Sequence, residues 1–137
     1  MIEFRDSCVG LDWVELEALF VTVDLGNRKG AKLRRAFEKS AHVCLAYERE
    51  RLIGVCRAIT DGEYHAFIYD VAVHPSEQGK GLGRALMQRL LGKLPVWRIM
   101  LVAEDDARGF YRTLGFKPYG DVMALRDRRW LETEPLE

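Results

Sequence analysis

The sequence predicts an α/β (α+β) domain with a mixed, mostly antiparallel central sheet flanked by about four helices. Three observations carry this. Residues 67–73 are mostly apolar with a single charge, Asp70, which suits a central strand. The apolar set Leu82, Leu86, Met87, Leu90, Leu91 and Leu94 then lies on one helical face and leads to a second strand at 96–103, the crossover that a parallel pair requires. Upstream, residues 42–59 alternate and turn back as a hairpin, so antiparallel pairs dominate.

In order along the chain, Ile2 to Asp6 alternates apolar and polar residues and gives an opening strand. Over residues 12–25, Trp13, Leu16, Leu19, Phe20 and Val23 recur at helical spacing, with Asp12 placed to cap the start. The segment 26–30, Gly-Asn-Arg-Lys-Gly, breaks that helix, and Leu33, Ala36 and Phe37 mark a second one ending near Ser40. In the hairpin, residues 48–51 form a charged turn, and Gly54 in the returning strand marks a bulge. After the 96–103 strand, Asp105 or Asp106 is placed to cap a helix that carries Ala107, Phe110, Tyr111 and Leu114 on one face. Gly115 stops it, with Phe116 following as in a Schellman cap. Residues 117–131 predict one or two terminal strands around the Gly120-Asp121 turn.

The 137 residues suffice for one domain, 1–137, without a separate regulatory domain. Hydrophobic residues make up 48% and charged ones 31%, and 21 basic residues balance 21 acidic ones, so no global field draws the chain to nucleic acid or an anionic membrane. No apolar run approaches the roughly 20 residues of a spanning helix, and the start lacks the order of a secretory signal; the expected location is the cytoplasm. Cys8, Cys44 and Cys56 are odd in number and contain no CxxC pair, which predicts buried thiols and neither disulfide framework nor metal site.

Gln78-Gly79-Lys80-Gly81-Leu82-Gly83 joins the central strand to the Leu-rich helix. Alternate glycines let the backbone approach a ligand and aim successive N–H groups into one concavity, and the helix N-terminus adds partial positive charge. Such a loop suits a phosphate. Lys80 and Arg84 add local charge that the neutral whole-chain balance hides. The alternative, a turn shaped only by chain reversal, requires fewer glycines. No GxxxxGK string is present, and GxGxxG fails because Arg84 and Leu86 stand where its last glycine would be.

Read as a signature, Gln78-x-x-Gly81-x-Gly83 just after Val71-Ala72-Val73-His74-Pro75, with Phe110-Tyr111-Arg112-Thr113-Leu114-Gly115-Phe116 downstream, resembles the GCN5-related N-acetyltransferase (GNAT) family across nearly the whole chain. Residues 1–40 match by pattern only. The resemblance implies an acetyl-CoA-dependent N-acetyltransferase whose acceptor is a primary amine of a small molecule or a protein. It places the CoA pyrophosphate on Gln78, Gly79, Lys80, Gly81, Leu82, Gly83 and Arg84 and the pantetheine arm along Val71, Ala72 and Val73, with Ala107 and Phe110 completing the cofactor-binding set. In the family a strand N–H polarises the thioester carbonyl and the amine attacks directly, so none of the cysteines acts as a nucleophile.

Tyr111 matches the family tyrosine that protonates or hydrogen-bonds the departing thiolate. A phenol of pKa about 10 can donate to a thiolate whose acid has a pKa of about 8.5 as charge develops. Aromatic packing beside Phe110 is the structural alternative. For the general base the candidate is Asp70, which meets either an incoming ammonium or a local hydrogen bond; Glu63, His65, Tyr69, His74 and a water relay are rivals. The sequence departs from the family at Glu104, where many members carry an asparagine that touches pantetheine, so that contact moves to Asp105 or to backbone. Gly109 costs the helix about 1 kcal/mol and leaves room near the CoA arm.

Acceptor choice is expected on loops 24–32 and 117–123. Arg28, Lys29 and Lys32 form either a reader of a carboxylate or phosphate or a solvated basic loop, and Tyr47, Phe67, Tyr69 and Tyr119 are candidates for lining an amine pocket. The stretch 68–73 also resembles plastid-type serotonin and lysine acetyltransferases and their bacterial relatives. The resemblance allows a homodimer. A non-catalytic acyl-CoA-binding module is the alternative function, and Tyr111 weighs against it.

Overall fold

A computed structural model describes residues 1–126, in two compact units that divide between Val102 and Ala103. In the first unit β1 (Ile2–Arg5), α1 (Trp13–Thr22) and α2 (Gly30–Glu38) precede β2 (His42–Glu48), β3 (Arg51–Thr60), β4 (His65–Val73), α3 (Leu82–Leu91) and β5 (Arg98–Met100). The five strands form one sheet in chain order. The first four are antiparallel and β5 runs parallel to β4.

Local chemistry sets the elements that frame the site. The Asp12 carboxylate accepts the N–H groups of Val14 and Glu15 at 3.0 and 3.2 Å, so it caps α1 as predicted. At the start of α2, Gly30 N–H donates to the Glu17 carboxylate at 2.6 Å, which ties the two helices together. Leu16, Phe20 and Phe37 are buried with Val43, Leu45, Tyr47, Val55 and Ala72 in the core between these helices and the sheet. Alternate residues of β3 face the other way: a Cβ on Gly54 would stand 2.7 Å from a methyl of Leu86, and the Cys56 thiol lies 3.8 Å from the Leu86 carbonyl oxygen. Gly54 therefore makes room for α3 to pack closely on the sheet, where a Cβ would collide with Leu86. The bulge falls beside it, since Ala46 pairs with Gly54 and Tyr47 with Leu52, leaving Ile53 as the extra residue.

Strand ends depart most from expectation. Predicted over 96–103, β5 is three residues long, and α3 ends at Leu91 instead of 94. In the second unit Asp105 and Asp106 lie in a 3-10 turn rather than capping, and α4 (Arg108–Thr113) starts after Ala107 with no side-chain cap. The Schellman end is present: Gly115, at φ +95°, donates to the Arg112 carbonyl and Phe116 to that of Tyr111. Residues 117–126 contain no strand, and the rest of the predicted 117–131 region lies outside the described residues. Among the described residues no helix is long and apolar enough to cross a membrane.

Candidate active site

β4 is paired on both edges only in its first part. His65, Ala66 and Phe67 pair with β5, whereas β4 runs on to Val73 and, among the described residues, is joined there only to β3. The last residue of this half-open strand has a defined orientation. His74 N–H donates to the Ile53 carbonyl at 2.8 Å, so the neighbouring Val73–Gly54 pair is a non-hydrogen-bonded one whose amides point away from each other. The Val73 carbonyl is met on that open side by the Gln78 side chain, whose Nε2 donates at 3.0 Å. Of the predicted carbonyl-polarising segment, Ala72 is buried and backs onto β3, while the Val73 N–H faces the open edge.

From Val73 the chain turns through His74 and a 3-10 turn into the glycine loop. Ser76 N–H donates to His74 Nδ1 at 3.1 Å and Arg51 Nη2 to Ser76 Oγ at 2.8 Å, so His74 organises this turn and the β2–β3 connection against it. Gly79 and Gly81 adopt φ +77° and +85°, left-handed conformations that cost a residue with a Cβ roughly 1–2 kcal/mol. Gly81 is the N-cap of α3, and the first intrahelical bond is from Ala85 to its carbonyl. The N–H groups of Leu82 and Gly83 precede that bond, in the first turn of the helix, where the N–H groups have no acceptor within the helix itself. Lys80, read as a source of positive charge, is exposed and 3.7 Å from Glu77. This assembly presents an outward strand amide followed by a helix N-terminus, a shape suited to an extended ligand with an anionic group.

Asp70 stands in the same half-open strand. Its backbone is left-handed, φ +57°, and the register jumps there: Val55 pairs with Ala72 but Arg57 with Tyr69, so β4 carries one extra residue. Its carboxylate is enclosed. Oδ2 accepts from Arg57 Nε at 2.7 Å and Oδ1 from Arg28 Nε at 3.0 Å, with the Asp70 side chain 3% exposed, Arg57 10% and Arg28 28%. Arg57 Nη1 also donates to Ser40 Oγ at 3.3 Å, and its guanidinium lies 5.0 Å from the Tyr69 ring and 5.6 Å from that of Phe37. Sequence reasoning missed Arg57, although the signal was present: it is the one charge among residues 52–59, as Asp70 is among 67–73.

Other predicted residues are placed apart. Glu63 and His65 lie at or before the start of β4, the opposite end from the glycine loop. Tyr47 is buried in the core under Arg5, whose guanidinium stands 4.0 Å from its ring, so it lines no open pocket. Phe67 and Tyr69 stack at 4.7 Å and remain half-buried. Cys44 and Cys56 are partners across β2 and β3 and fully buried; a hydrogen bond between the thiols pulls the pKa of Cys44 down and pushes that of Cys56 up. In the second unit Tyr111 lies on α4, its ring edge-on to Phe110 at 5.0 Å and to Phe116 at 5.8 Å. Ala107 ends the 3-10 turn before that helix, Glu104 precedes the turn, and Tyr119 is exposed.

Comparison with known proteins points one way. The family model described as Acetyltransferase (GNAT) family matches residues 11–116. A rice (Oryza sativa subsp. japonica) protein named serotonin N-acetyltransferase 2, chloroplastic, is 43% identical over 126 residues, covering 87% of this chain and 63% of its own. A Glycine max protein named as a histone acetyltransferase is 36% identical over 134 residues, 88% of this chain and 57% of its own. The chain thus spans about six-tenths of the length of these relatives. Among solved structures, a GNAT-family acetyltransferase from Streptococcus pneumoniae TIGR4 superposes with a TM-score of 0.78 at 26% identity, over 93% of this chain and all of that one.

Proposed function

The chain belongs to the GNAT acetyltransferase family, and from that premise we propose that it transfers an acetyl group from acetyl-CoA to a primary amine. Acetyl-CoA supplies the acyl group as a thioester, which an amine can attack without a covalent enzyme intermediate. The half-open strand carries this reading, because the Val73 amide faces the β4 edge beyond the residues that pair with β5, and the chain then enters the left-handed glycines ahead of α3.

In this reading the amides of residues 79–84 and the α3 N-terminus hold the pyrophosphate, with Lys80 and Arg84 contributing charge. The Val71–Val73 segment lines the pantetheine arm, and the Val73 N–H donates to the thioester oxygen where negative charge develops. The attacking amine enters neutral, having lost its proton to water; its remaining excess proton leaves after the C–N bond forms. Tyr111, assigned on the Phe110 to Phe116 match, gives a proton or hydrogen bond to the thiolate as the C–S bond breaks. The acceptor is proposed as a primary amine because the rice relative is named for serotonin and the soybean one for histones.

Thermal unfolding with acetyl-CoA, CoA, dephospho-CoA, NAD and ATP in parallel tests the reading without an acceptor. Ligand at 100 times its Kd adds about 2.7 kcal/mol. Selective stabilisation by acetyl-CoA and CoA is expected; no shift at millimolar acetyl-CoA removes the assignment. Tyr111→Phe is then expected to slow CoA release with an amine by about 100-fold or more while keeping the thermal shift, and unchanged turnover would remove Tyr111 from the mechanism.

A further inference from the structure

The backbone of β4 changes phase at Asp70. Ahead of the bulge the even-numbered residues turn their backbone groups to β5, since the Tyr64 carbonyl accepts the Arg98 N–H at 3.0 Å. Beyond it the even-numbered residues turn to β3, since His74 N–H donates to Ile53, and the odd-numbered Val73 faces the open edge. One inserted residue does this, and at this bulge the strand takes it up with a left-handed residue, Asp70. An aspartate tolerates that conformation, and this one is gripped on both carboxylate oxygens.

We propose that Asp70 is a positioning residue: with Arg57 and Arg28 it fixes the bulge that turns Val73 outward, and through Arg28 it fastens residues 24–32 to the same strand. The two grips come from different places. Arg57 belongs to the neighbouring strand and is itself fixed by Ser40 and by the rings of Phe37 and Tyr69. Arg28 belongs to the α1–α2 connection, 42 residues away in sequence, and is the more exposed partner. Proton acceptance by Asp70 fits this geometry poorly, because an amine would have to displace a permanently charged guanidinium from a side chain sealed from water. The catalytic consequence rests on the acetyltransferase reading; the fastening rests on geometry alone.

The test compares wild type, Arg28→Gln, Asp70→Asn and the double variant. Asn keeps the shape and tolerance of the left-handed conformation while removing the charge, and Arg28→Gln changes a partly exposed side chain, so it folds even where Asp70→Asn does not. Amide hydrogen exchange is the first readout. Arg28→Gln is expected to speed exchange across residues 24–32, and Asp70→Asn across both 24–32 and 70–73, with no further change in 24–32 in the double variant. Equal exchange in all four proteins, or additive increases at 24–32, would overturn the fastening, whether or not the chain binds acetyl-CoA.

Steady-state kinetics with tryptamine, spermidine and Nα-acetyl-lysine as acceptor probes is the second readout. Asp70→Asn is expected to lower kcat about 10- to 100-fold, with the acetyl-CoA KM within about threefold and the shape of the pH–rate profile unchanged. Arg28→Gln is expected to raise the acceptor KM and leave kcat nearly unchanged, an effect that disappears in the Asp70→Asn background. Loss of the acidic limb of the pH profile in Asp70→Asn, with activity restored by added acetate, would make Asp70 the base and overturn the proposal.

Discussion

Two aspartates in the first unit each hold two cations. Asp6, just beyond β1, accepts from Arg89 Nε and Nη2 at 3.0 Å and lies 2.8 Å from Lys93, fastening the end of a strand to the end of α3. Asp70 holds Arg57 and Arg28 at 2.7 and 3.0 Å. Partner number and distance are nearly the same, and surroundings separate them: the Asp6 side chain is 36% exposed and that of Asp70 3%. Water screens the first pair and replaces a lost partner, whereas a partner removed from the second leaves a charge stranded in a dry place. Burial, rather than the count of partners, decides what each aspartate does for the fold.

The largest effect is expected from Asp70→Leu. It leaves Arg57 unpaired between Phe37 and Tyr69 and forces a leucine into a left-handed conformation. Loss of one partner from a buried ion pair costs about 3–5 kcal/mol, to be read from the urea midpoint; a loss below about 1 kcal/mol would mean that Arg57 reaches another partner or water. Arg28→Gln is expected to be intermediate, about 1–2 kcal/mol, since one charged hydrogen bond is lost but Arg57 still pairs with Asp70. If it matched Asp70→Leu, the two guanidiniums would be a single unit and not a dry partner and a wet one.

Much of the frame around Asp70 was legible because it is local. The Leu82 to Leu91 face, the Asp12 cap, the glycine loop and the Schellman end at Gly115 each depend on residues within a turn or two of one another. The bulge was not legible, because nothing near Asp70 in sequence requires it; it follows from register with β3 and from arginines 13 and 42 residues away. The shortness of β5 has the same origin. Val102 and Ala103 continue the apolar pattern that predicted a strand, yet β4 offers partners only at His65, Ala66 and Phe67, so pairing and not composition ends the strand. Arg28 shows the converse: read as a solvated loop cation or an acceptor-reading residue, it is half of a tertiary contact.

The smallest effect is expected at the exposed aspartate, and its pH dependence sharpens the comparison. Hydrogen bonds from Arg89, with those from Lys93, hold the Asp6 carboxyl down at about 2, below the ordinary value of about 3.9. A carboxyl whose folded pKa is depressed contributes stability above its unfolded pKa and loses it as the pH falls through the folded one. Asp6→Asn should therefore be less stable than wild type at pH 5 to 7 by no more than about 1 kcal/mol, because solvent screens a side chain this exposed. The gap should close between about pH 4 and pH 2, and shrink at neutral pH in 1 M salt, where the Debye length is about 3 Å. Paired urea titrations at pH 6, 4 and 3, in low and high salt, read both dependences. A gap that persisted unchanged at pH 3 would come from packing of the Arg89 and Lys93 stems, and one above about 2 kcal/mol at pH 6 would mean that exposure does not separate the two aspartates.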